Sequence, residues 1–91
     1  MISANVIKGV HQLLDERGIR PRPNETLGDV VARALGISRR QSDILLESLH
    51  DGAPVDEAAG AAGIDSSQIQ GDLLIRIATA IGTALGRGIK P

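Results

Sequence analysis

Arg39, Arg40 and Gln41 stand in a row directly after a serine able to cap a helix, and Arg33 lies on the helical segment before them. Guanidinium groups at a helix start can fork onto phosphate oxygens or onto the O6 and N7 edge of guanine, and a carboxamide can read adenine in the same way. A second run, Ser66, Ser67, Gln68 and Gln70, offers hydroxyl and amide groups suited to base edges. These eight residues are the candidate contacts to double-stranded DNA. The competing reading of the arginines is a solvated charged face with local pairs such as Arg39 to Asp43, each worth about 0.2–0.5 kcal/mol.

Other chemistry has little material. Neither His11 nor His50 has a second His or a Cys at ligand spacing, so both read as surface or capping histidines and no metal is expected. Asp56-Glu57 reads as first-turn acid favouring a helix dipole rather than as a catalytic pair. There is no phosphate-binding loop and no nucleophile with a base at hand. A chain of 91 residues makes one domain, with a core but without a deep pocket. The expectation is a protein that is not an enzyme and needs no cofactor.

Composition narrows the classes further. With no Phe, Tyr or Trp, the core must be built from Leu, Ile, Val and Ala, and the helices must approach closely. The same absence removes the aromatic platforms on which single-stranded bases stack. No cysteine means no disulfide. No apolar run approaches about 18 residues, so no membrane partner is expected, and the location expected is cytoplasmic. The net charge of −1 is spread unevenly. Residues 1–40 hold seven Lys or Arg against four acids, whereas residues 41–75 hold seven acids and no Lys or Arg. A polyanion should therefore prefer the first half or the tail.

The periodicity that positions these groups is helical throughout. Ser3 caps a first helix with Val6, Ile7, Val10, Leu13 and Leu14 on one face, closed by Gly18 within residues 1–18. Residues 19–25 hold Arg20-Pro21-Arg22-Pro23, a stiff connector, because each proline forces its predecessor into an extended backbone. Residues 26–52 form a first helix-turn-helix-like unit. Its Thr26-capped helix carries Leu27, Val30, Val31, Ala34 and Leu35, Gly36 turns the chain, and a Ser38–Gln41 capping box opens a helix burying Ile44, Leu45 and Leu49. Residues 53–86 repeat the plan: Pro54 starts a short alanine-rich helix, Gly63 turns, and Asp65 with Gln68 forms a second capping box. Residues 87–91 are read as a frayed tail. The fold class expected is all-α, a compact bundle of about five helices.

The string Ala34-Leu-Gly-Ile-Ser38 recurs as Ala61-Ala-Gly-Ile-Asp65. In the second copy Ala59, Gly63 and Ile69 take the small-residue, turn-glycine and buried-aliphatic spacing that lets two short helices cross steeply. With Arg40, Leu45 and Glu57-Ala58-Ala59, residues 39–77 resemble the helix-turn-helix of the LuxR/GerE type and of sigma-factor region 4. That resemblance implies a recognition helix whose Ser66, Ser67, Gln68 and Gln70 face the major groove. Asp65 and Asp72 flank that helix with no cation nearer than Arg76, which opposes phosphate contact. In the first copy the basic residues are present, but Ser42 stands where an aliphatic belongs.

The fifth helix is more apolar than one core-facing stripe requires. Its Leu73, Ile77, Ile81 and Leu85 are the candidate oligomer interface. Two functions follow from the sequence: a small DNA-binding regulator acting as a homodimer, or a helical module that keeps the helix-turn-helix scaffold and binds a protein partner.

Overall fold

The computed structural model describes residues 2–65 and 71–86, and within them the chain is all-helical. The helices are α1 (Ala4–Glu16), α2 (Leu27–Leu35), α3 (Arg39–His50), α4 (Val55–Ala61) and α5 (Gly71–Ala84). Each start is a local decision. Ser3 Oγ accepts from the Val6 amide, and Thr26 with Asp29 and Ser38 with Gln41 close reciprocal capping boxes. Pro54 precedes α4 and lacks the amide that a first turn would leave unpaired.

The first four helices also end alike. Ile19, Ile37, Ala53 and Ile64 each donate an amide five residues back, to Leu14, Ala32, Ser48 and Ala59. At Gly36 and Gly63 the backbone takes φ of 70° and 69°, where a Cβ would meet the carbonyl. Both copies of the repeated string therefore turn through a left-handed glycine and share the bond from the isoleucine after it, while the Gly36 amide donates to Ala32 and the Gly63 amide to Gly60. The apolar residue after each glycine then turns back onto the core; Ile64 is buried, and Ile19 and Ile37 pack against its edge.

Packing pairs α1 with α5, and α3 with both α2 and α4. The α1–α5 pair is antiparallel: Arg17, just past the end of α1, meets Asp72 at the start of α5 at 2.8 Å, while Gly9 faces Ala80 and Ala84. The core is aliphatic. Val6, Val10 and Leu14 of α1, Val30 and Val31 of α2, Leu45 and Leu46 of α3, and Leu73, Ile77 and Ile81 of α5 are essentially shielded from solvent. On α3, Leu46 is buried and Ile44 only half-buried, because α3 must serve α2 and α4 on two sides.

Ser42 is completely buried, and its Oγ has no hydrogen-bond partner among the described residues. The aliphatic position of the first turn is thus filled by a hydroxyl that must be desolvated without compensation. Ser42→Ala is expected to raise stability by about 1 kcal/mol. Thermal melts followed by far-UV circular dichroism check this, and a lower midpoint would show that the hydroxyl is doing something the geometry does not contain.

Candidate functional site

Two of the three arginines singled out for nucleic-acid contact, Arg33 and Arg39, fold onto acids. Arg33 donates from Nη2 to Glu25 at 2.8 Å and to the carbonyl of Arg20 at 2.7 Å, pinning the proline-rich connector to the side of α2. Arg39 spans two helices, donating to Asp29 of α2 at 2.7 Å and to Asp43 one turn along α3. Buried Gly28 leaves the room for this pair; a Cβ there would run into the Asp43 carboxylate and the Arg39 guanidinium. The local pair of Arg39 with Asp43 is present, and the second carboxylate, Asp29, is one that only the packing of α2 on α3 supplies.

Gln41 is also occupied. Its Oε1 accepts from the Ser38 amide at 3.0 Å and its Nε2 donates to the carbonyl of Gly63 at 3.2 Å. The side chain therefore ties the start of α3 to the α4–α5 turn, so both ends of its amide are committed to protein. Arg40 differs: it is exposed and has no ion-pair partner among the described residues. Ser66, Ser67, Gln68 and Gln70, with Ile69 and the tail beyond residue 86, lie outside the described residues.

The carboxylates are shaped by these contacts. The Arg33 guanidinium, helped by the Arg22 amide, holds Glu25 below the usual carboxylate range. The Thr26 amide does the same for Asp29, with Arg39 adding to it, and Arg17 with Arg76 does so for Asp72. Carboxylates lowered in the folded state stabilise it fully above their ordinary range, and that contribution disappears as pH falls through the lowered values. Stability is accordingly expected to decline below about pH 4. The Glu25→Gln variant should be less stable at neutral pH and should show a shallower acid decline; an acid limb identical to the parent's would exclude Glu25 as a contributor.

The expected interface on α5 is corrected by its burial. Leu73, Ile77 and Ile81 are 0–2% exposed within the single chain, and Leu85 packs partly buried against the same core. Leu73, Ile77 and Ile81 are covered by the protein's own helices, α1 and α3 above all, while Leu85 keeps part of its surface in solvent. The exposed apolar residue of α5 is Ile75, at 57%. It borders a groove of about 290 Å³ whose α5 wall is Ile75, Ala78, Thr79 and Gly82, and whose opposite wall runs from Leu49 through Gly52 to Val55. Sequence reasoning missed this face because α5 is apolar nearly all round; the spacing 75, 78, 79, 82 was legible as a second stripe.

Among the described residues no group of His, Asp and Glu could hold a metal ion. No helix within them is long and apolar enough to cross a membrane. Comparison of the chain with protein-family models, with curated proteins and with solved structures finds no match.

Proposed function

We propose that this chain is a non-catalytic helical module whose partner is a protein. The observation that carries this reading is the fate of its cations. Arg17, Arg20, Arg33, Arg39 and Arg76 are all held by carboxylates of the same chain, while an apolar groove stays open beside Ile75. Phosphate binding through these five would require their pairs to be broken or shared, which leaves Lys8, Arg22 and Arg40 as the cations without an ion pair among the described residues. Apolar docking requires neither.

The DNA-binding reading is supported by Arg40, exposed on the first turn of α3, and by the resemblance of residues 39–77 to a helix-turn-helix. End-labelled duplex DNA titrated by anisotropy at low and near-physiological salt separates the two. No binding at low salt is the result expected. Binding whose logarithm falls linearly with the logarithm of salt, and which Arg40→Ala weakens, would overturn the proposal in favour of a nucleic-acid surface.

A further inference from the structure

We propose that the groove bounded by the start of α1, the start of α2 and the Asp43–Glu47 side of α3 seats a lysine- or arginine-rich amphipathic helix of the partner protein; this rests on the protein-binding reading above and uses a face other than the Ile75 groove. The hollow measures about 380 Å³, and its large apolar side chains are Ile2, Ile7, Leu27 and Leu46. Leu27 and Leu46 are buried members of the core, whereas Ile2 is half-buried and Ile7 is 37% exposed. Among the described residues, Ile7 and Ile75 are the large hydrophobic side chains left in water. An aliphatic stripe laid on this floor would cover Ile7 and Ile2 and leave the core as it is.

Charge selects the occupant, and the charges line the groove itself. Asp43 and Glu47 stand one turn apart on its α3 wall, and Asp51, a further turn along, lines the adjoining hollow together with Ile2 and Glu47. The cation of the groove, Arg39, is already shared between Asp29 at 2.7 Å and Asp43 at 3.1 Å. Asp29, Asp43 and Glu47 thus stand against one guanidinium, and Glu47 has no ion pair among the described residues. Lys8 does not offset them, because it lines the hollow on the α5 side of α1 with Gly9 and Ala84. Cations one turn apart on a helix lying along α3 would meet Asp43, Glu47 and Asp51 in turn while its aliphatic face covers Ile7. No acidic side chain lines the groove beside Ile75, so the two apolar faces differ in the charge they select. A second copy of this chain is a poor occupant. Its unpaired cations among the described residues, Lys8, Arg22 and Arg40, lie on α1, the connector and α3, so no helix presents two of them, and a two-fold contact would bring the acidic wall of each protomer to the same interface.

The probe is a fluorescein-labelled peptide of two Leu-Lys-Lys-Leu-Leu-Lys-Leu heptads, titrated with the full chain by anisotropy at near-physiological salt beside the same peptide with Glu for every Lys. The lysine peptide is expected to bind, and the glutamate peptide to bind at least about tenfold more weakly. Glu47→Lys, which reverses an exposed and unpaired charge of the wall, and Ile7→Gln, which removes the apolar shoulder, should each weaken the lysine peptide by at least about tenfold while melting cooperatively. Glu16→Lys makes the same charge change at the far end of α1 and should leave binding unchanged, because salt screens a charge beyond about 8 Å. Ile75→Gln should leave it unchanged as well. Failure of the lysine peptide to bind, equal binding of both peptides, binding indifferent to both Glu47→Lys and Ile7→Gln, or a loss in Glu16→Lys or Ile75→Gln as large as in these two would overturn the inference. A light-scattering mass of twice 9.5 kDa that Ile7→Gln halves would also overturn it, placing a second copy in the groove. Should Ile7→Gln fail to fold, Glu47→Lys against Glu16→Lys decides alone. None of these outcomes touches the broader protein-binding reading, which falls only if duplex DNA binds.

Discussion

Ile81→Asp is expected to unfold the protein, whereas Ile75→Asp, six residues earlier on the same helix, should leave it folded. Ile81 is 1% exposed and belongs to the central cluster with Ile77 and Leu73. Truncating such a side chain costs about 2–5 kcal/mol, and an unpaired carboxylate in its place adds several more. A chain of this length holds only about 5–14 kcal/mol in total. Ile75 leaves more than half of its surface in water, so a carboxylate there stays hydrated. Because the chain has no aromatic reporter, the experiment is a far-UV circular dichroism melt. Loss of the cooperative transition in Ile81→Asp with its retention in Ile75→Asp is the predicted pair. A folded, monomeric Ile81→Asp would instead restore the Leu73, Ile77, Ile81 and Leu85 ridge as an intermolecular interface.

Gln41→Ala should lower stability by about 1–2 kcal/mol, and its neighbour Arg40→Ala should leave stability unchanged. The Gln41 amide makes half of a capping box and the bond from α3 to the Gly63 carbonyl, and truncation removes both. The midpoint shift expected for a domain of this size is about 4–8 °C per kcal/mol. Gln41→Glu sharpens the test: it keeps the acceptor for the Ser38 amide but faces the Gly63 carbonyl with a carboxylate, so it should recover only part of the loss. Equal stability of Gln41→Ala and the parent would mean that Gln41 is free of these contacts in solution, and it would return to the residues available to a ligand.

Gln41 shows how far residue types alone can lead. An arginine, an arginine and a glutamine at a helix start are chemically fit for nucleic acid, and nothing local distinguishes a carboxamide that reads a base from one that caps its own helix. The capping box was visible in the spacing; the reach to Gly63 was not, because it joins residues 22 positions apart. Arg39 follows the same division. Its bond to Asp43 is an i to i+4 relation within α3, while its bond to Asp29 exists only once α2 lies beside α3.

The sequence by itself determined where α1, α2 and α3 begin and where α2 and α4 end, through Ser3, Thr26 and Ser38 at the starts and the glycine turns at Gly36 and Gly63, since caps and turns depend on residues within about five positions. It also determined that the core would be aliphatic, because no aromatic residue was there to fill it. Only the tertiary structure decided which side of α5 is inside. Laying α1 antiparallel along α5 and packing α3 against it consumes Leu73, Ile77 and Ile81, and leaves Ile75, Ala78, Thr79 and Gly82 on the groove. A helix that is apolar nearly all round carries no periodicity strong enough to choose its buried face, so its neighbours make the choice.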